Sequence, residues 1–194
     1  MIRICEIVHR GLLVDQASGA IKFQDFRGSE QAMGNLFEAF VRNFWKREQS
    51  HFKVSAPHVP WAIEGEGDSS LDWIPKMETD ITLRAPGQHI VVETKCTGKP
   101  FAGKHEGHLK LRSGHLFQIQ SYVLNLRAKG ADPIGVLLYA EAGREMRFDY
   151  VLQGVPLRVR SLDLNQPWSG IRADLLKMST EIAMSPSSLG LTPN

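Results

Sequence analysis

Two short β-patterned runs joined by a four-residue turn do most to constrain this chain. Met77 to Leu83 alternates as Met-Glu-Thr-Asp-Ile-Thr-Leu, Ala85-Pro-Gly-Gln88 supplies turn residues, and Ile90-Val-Val-Glu-Thr-Lys95 is β-branched and apolar until its end. The pattern predicts a hairpin. Glu93 and Lys95 are two apart, so both project from one face of the second strand. Asp80, on the first strand, can lie across from them, within reach of a shared ion.

The flanking segments predict helices. Met33, Leu36, Phe37, Phe40, Val41, Phe44 and Trp45 form one broad apolar stripe of a helix over 30–48, with Ser29 as its N-cap and Glu38 at the stripe's margin. A second helix is predicted over 114–129, with Leu116, Ile119, Gln120, Val123, Leu124 and Leu126 inward, and a third over 169–183. Between them Ile134 to Tyr139 reads as a strongly apolar strand after a break at Pro133. Residues 146–152 and 155–164 read as two more strands around Gly154-Val-Pro156. Residues 52–63, with Pro57 and Pro60, suit an edge strand. Residues 64–75 and the 17 or so residues after Lys95 read as loops. Residues 2–14 are apolar with scattered charges, a short helix or strand. The plan is α/β: a central mixed sheet flanked by helices, with an N-terminal extension over 1–28, a main domain over 29–184 and a flexible tail over 185–194.

Composition bounds the function classes. The chain has 194 residues, 42% hydrophobic and 23% charged, enough for one sizeable core. No apolar run approaches the roughly 20 residues that span a bilayer. Glu6 and His9 interrupt what a signal peptide would keep apolar, so a cytoplasmic protein without a membrane partner is expected. The two cysteines, Cys5 and Cys96, make no disulfide framework. The net charge of +2 identifies no partner. The stretch from Lys95 to Arg112 is more basic, and suits either a path along phosphates or a solvated loop.

Asp80, Glu93 and Lys95 carry the candidate chemistry. Two carboxylates at the ends of apolar strands repel each other when partly buried, and a cation relieves this. Hard oxygen donors that leave positions for water and phosphate suit Mg²⁺, with Mn²⁺ as a substitute. The ion would polarise a phosphodiester and acidify an attacking water, while Lys95 orients that water and offsets developing charge. Glu38 adds a possible further ligand. Gln118 and Tyr122, four apart on one helix face, are placed to hold a backbone phosphate or a metal-bound water. Solvated salt bridges and helix packing would account for the same residues without any reaction.

A helix with Glu, a hairpin carrying D…E-x-K, then a helix with Q-x-x-x-Y is the order of the PD-(D/E)xK nuclease superfamily. Leu36-Phe-Glu-Ala-Phe-Val-Arg42, Pro75 to Leu83, Ile90 to Lys95, Leu116-Phe-Gln-Ile-Gln-Ser-Tyr122 and Gly135-Val-Leu-Leu-Tyr139 resemble the McrC nuclease family of McrBC restriction systems, which act on 5-methylcytosine-containing DNA. The resemblance implies a restriction-endonuclease-like fold and a Mg²⁺-dependent endodeoxyribonuclease of a defence system. By that resemblance Asp80 and Glu93 would be metal ligands and Lys95 the catalytic lysine. It also implies DNA as substrate and an AAA+ GTPase motor as partner. A homodimer is a further expectation. Two departures stand out. Glu93 occupies a position where the family usually has Asp. The resemblance also begins almost at Met1, so the N-terminal domain by which the family engages its motor is expected to be missing. The alternative is a catalytically silent nuclease-fold subunit that binds DNA or supports assembly.

Two other patterns compete. Gly98-Lys-Pro-Phe-Ala-Gly-Lys-His105 nearly spells a P-loop, but His105 replaces the Ser/Thr that holds Mg²⁺, and Pro100 removes an N–H from the cradle. Cys96, His105, His108 and His115 suggest zinc, at a spacing that matches no common closed site.

Overall fold

A computed structural model describes residues 30–63, 73–97, 101–105, 108–141 and 145–184. Ser29, the N-terminal extension, the tail from residue 185 and much of the near-P-loop lie outside the described residues.

The first helix, α1 (Glu30–Glu48), follows its sequence stripe: Leu36, Phe37, Phe40, Val41, Phe44 and Trp45 are all buried. At about 2 kcal/mol for each large apolar side chain fully buried, this stripe docks the helix firmly. The chain then forms β1 (Lys53–Ser55), β2 (His58–Val59), β3 (Met77–Glu78), β4 (Ile81–Ala85), β5 (Gln88–Lys95), β6 (Phe101–His105), β7 (His108–Leu111), α2 (Ser113–Ala128), β8 (Pro133–Glu141), β9 (Arg147–Leu152), β10 (Val155–Asp163) and α3 (Trp168–Glu181).

Six strands make one mixed sheet in the order β1-β4-β5-β8-β10-β9. β5, β8 and β10 run parallel, whereas β1, β4 and β9 pair antiparallel with their neighbours. β2–β3 and β6–β7 are separate two-stranded ribbons. Helices cover both faces. α1 and α3 pack on Ile81, Leu83, Ile90, Val92, Val136, Leu138 and Leu162. On the other face, α2 packs on Val91, Leu137, Tyr139, Leu157 and Val159. Alternation along β5 therefore assigns Val91, Glu93 and Lys95 to the α2 face. Gly135 of β8 lets α2 approach closely: a Cβ there would meet Ile119 Cγ1 at 3.1 Å, Leu157 Cδ1 at 3.2 Å and Val123 Cγ1 at 3.3 Å.

Four local expectations are corrected. The run Met77–Leu83 is two strands, not one, broken at Thr79 and Asp80. Thr79 donates its N–H (3.3 Å) and its hydroxyl (3.0 Å) to Pro57 O, which turns the chain out of the β4 ladder. The run 52–63 divides between the main sheet, where β1 is indeed an edge strand, and the β2–β3 ribbon. The segment after Lys95 holds the β6–β7 hairpin, paired from Phe101↔Leu111 to His105↔His108, rather than only a loop. Pro133 begins β8 instead of merely ending what precedes it, a position where the missing N–H is tolerated. The turns follow the sequence: Gly87 has φ 69°, and Gln153 and Gly154 have φ 53° and 74°, as a primed hairpin turn requires.

Candidate active site

The acidic residues meet at the carboxyl end of β5, between α1 and α2. Ile81 pairs with Val92, so the continued register sets Asp80 opposite Glu93. Asp80 lies in the break before β4, and its side chain takes the place of a ladder partner. Its Oδ2 accepts from Thr94 N (2.8 Å) and from Thr94 Oγ1 (2.7 Å). From α1, Arg42 donates to Asp80 O at 3.1 Å and forms an ion pair with Glu38 one turn earlier.

Glu93 is the most confined acid, with its side chain 2% exposed. Oε1 accepts from Lys95 Nζ at 2.6 Å, while Oε2 is buried without a hydrogen-bond partner. Burial pushes its pKa up to about 7, and the nearby Asp80 carboxylate adds to the rise against the opposing pull of Lys95. The Glu38 carboxyl is likewise raised, first by burial and then by Asp80, with Arg42 opposing. The three carboxylates therefore crowd one another electrostatically. Among the described residues, no three His, Cys, Asp or Glu side chains already converge as a closed metal-ligand set. Arg42 holds Glu38 and Thr94 holds Asp80, so each acid keeps its own protein partner.

Lys95 links this cluster to α2. Its Nζ also donates to Gln118 Oε1 at 2.9 Å, and Gln118 Nε2 donates to Tyr122 OH at 3.0 Å. Glu93, Lys95, Gln118 and Tyr122 thus form one continuous hydrogen-bonded line. Tyr122 is buried, and burial raises its phenol pKa. Four of the expected residues are brought together in this way, and Asp80 and Glu38 flank them from the β4 and α1 sides.

His115 and Tyr139 form a separate pair beside this line, and sequence reasoning gave neither a part in this chemistry. Lys95 is paired in register with Tyr139 on β8, and Tyr139 OH lies 2.9 Å from His115 Nδ1. The available signal was the i, i+3, i+7 spacing of His115, Gln118 and Tyr122 along α2. Of the zinc pattern, the His105 and His108 side chains lie outside the described residues. Cys96 packs against the α1 core on the opposite side of the sheet from His115.

Asp80 and Glu93 are the residues that could hold a divalent cation. Carboxylate oxygens are the hard donors it prefers, and the buried, unpartnered Glu93 Oε2 beside Asp80 is an atom that lacks such a partner.

No family model matches the chain. It is 27% identical over 182 residues to the Type IV methyl-directed restriction enzyme EcoKMcrBC of Escherichia coli (strain K12). The chain is similar to a restriction enzyme. That similarity covers 93% of this chain and 52% of the relative, so the chain spans about half the relative's length. It bears out the resemblance to the McrC family drawn from the motifs. Among the described residues no helix is long and apolar enough to cross a membrane.

Proposed function

We propose that the chain is a Mg²⁺-dependent endodeoxyribonuclease with a PD-(D/E)xK fold, the cutting component of a restriction system directed at modified cytosine. The observation that carries this reading is the pairing of a buried, half-satisfied Glu93 with a lysine held in line by Gln118. A lysine so fixed can donate to a phosphate oxygen without reorganising as charge develops, which is how preorganised donors accelerate phosphoryl chemistry. Gln118 sets the Lys95 rotamer and Tyr122 sets Gln118. Asp80 and Glu93 would hold Mg²⁺ or Mn²⁺, and Glu38 would join them on leaving Arg42. When bound, the ion supplies polarisation of the scissile phosphate and an acidified water. The similarity to a methyl-directed restriction enzyme supports DNA as substrate, and the AAA+ GTPase motor is the partner that the motif resemblance implies. The same reading implies a cytoplasmic enzyme.

Plasmid cleavage in Mg²⁺ or Mn²⁺ tests the proposal. Wild type should cut, whereas Asp80→Ala and Lys95→Ala should lose at least about a hundredfold in rate, the usual effect of removing one such donor. Equal cutting by all three sinks the site. DNA binding with no cutting by wild type alone or with a motor subunit favours the silent subunit instead.

A further inference from the structure

We infer that His115 is a phosphate-binding residue of this site, oriented by Tyr139 so that its Nε2–H is offered to a non-bridging phosphate oxygen beside the Lys95 ammonium. The inference rests on the nuclease reading above and adds a substrate contact to it.

The placement is geometric. His115, Gln118 and Tyr122 share one face of α2, and Gln118 already meets Lys95. One turn earlier, His115 stands over Tyr139, the β8 neighbour of Lys95, with ring centroids 5.7 Å apart. The tautomer follows from the partner. Tyr139 is fully buried, and burial pushes its phenol pKa up to about 12, so the hydroxyl keeps its hydrogen. His115 Nδ1, at 2.9 Å, is its partner among the described contacts. Donation from the phenol to Nδ1 leaves the imidazole proton on Nε2. His115 is half-buried, and Tyr139 engages its Nδ1, which leaves Nε2 as the ring nitrogen for a ligand.

The surroundings suit a polyanion. Lys110 and Arg112 are exposed just before α2, and no Asp or Glu occurs from His108 to Ala131. Burial, Lys95 and Arg112 hold the His115 pKa down to about 4, so the ring stays a neutral donor at working pH and adds no charge beside Lys95.

A purely structural role predicts something different. Satisfying the buried Tyr139 hydroxyl needs only the Nδ1 position. An Asn amide reaches about where imidazole Nδ1 sits, whereas a Gln amide reaches about where Nε2 sits. The test compares wild type, His115→Asn and His115→Gln. It measures kcat/KM on a duplex oligonucleotide in Mg²⁺, fluorescence anisotropy of the same labelled duplex in EDTA, and thermal melting. A phosphate contact predicts that Gln stays within about threefold of wild type, whereas Asn loses about tenfold in kcat/KM and about fivefold in affinity with an unchanged melt. If Asn matches wild type in affinity and kcat/KM, the inference is overturned, whatever Gln does to stability. Failure of the nuclease reading looks different: wild type does not cut, or Lys95→Ala cuts equally. In that case the metal-free binding arm still decides the role of His115.

Discussion

Replacing Glu93 with Gln should make the metal-free protein less sensitive to rising pH. Glu93 titrates near 7 in the fold against 4.5 in an ordinary environment. Between those values the folded state holds a proton that the unfolded chain has released, so stability falls as pH rises and levels off above about 7. At 1.36 kcal/mol per pH unit, the span from 4.5 to about 7 amounts to about 3 kcal/mol. The side chain is only 2% exposed, so solvent does little to screen this effect. Glu93→Gln keeps the shape and removes the titration. His115 acts in the opposite sense, because its depressed pKa favours the folded state as pH rises toward 6.5, and the difference between wild type and variant cancels it. The assay is urea unfolding in EDTA at pH 5, 6, 7 and 8. With a urea slope of about 2 kcal/mol per molar, we expect the midpoint of wild type to fall by about 1 M relative to Glu93→Gln between pH 5 and pH 8. Parallel curves for the two proteins, or a gap that closes as pH rises, would refute the reasoning.

Three further outcomes follow from the same geometry. Adding Mg²⁺ at about ten times its dissociation constant at pH 8 should stabilise wild type by about 1.4 kcal/mol, read as a higher melting temperature, and should leave Glu93→Gln with less than half of that. Tyr122→Phe removes the acceptor for Gln118 Nε2 and should lower kcat by about tenfold with little change in KM, since it loosens Lys95 rather than DNA binding; steady-state cleavage kinetics check this. Gly135→Val drives side-chain atoms into Ile119, Leu157 and Val123, and should cost about 1–3 kcal/mol in chemical denaturation while moving Gln118 away from Lys95 and lowering cleavage.

The helices and the main strands were legible because their apolar residues repeat at the periods those elements impose. Leu36 to Trp45 declares a helix covered on one side, and Ile90 to Val92 declares a strand covered on both. The break at Asp80 was not legible, because Met77 to Leu83 keeps its alternation through it. Its cause is tertiary: Thr79 bonds Pro57, and Asp80 bonds Thr94, fourteen residues on. The β6–β7 hairpin was hidden by a Gly, Pro and Lys-rich composition that lacks any strong period. Asp80, Glu93, Lys95, Gln118 and Tyr122 were all nameable from spacing. His115 shares the helical spacing of Gln118 and Tyr122, but its partner was not legible, because Tyr139 lies on β8 and only the parallel pairing of β5 with β8 sets that tyrosine beside Lys95.

The hydrogen bonding also differs from that of an ordinary surface salt bridge. A hairpin stabilised by charge would use its lysine to join the two acids. Here Lys95 serves Glu93 and Gln118, and the described hydrogen bonds to the Asp80 carboxylate both end on Oδ2, from Thr94. Each acid thus commits one oxygen to the protein. Glu93 keeps the other buried and unpaired. Leaving such an oxygen without a donor costs about 1–3 kcal/mol or more, and Asp80 raises that cost by repulsion. A fold that only needed to be stable would gain from a neutral residue at position 93. The cation proposed for this site would account for its carboxylate by meeting Glu93 Oε2.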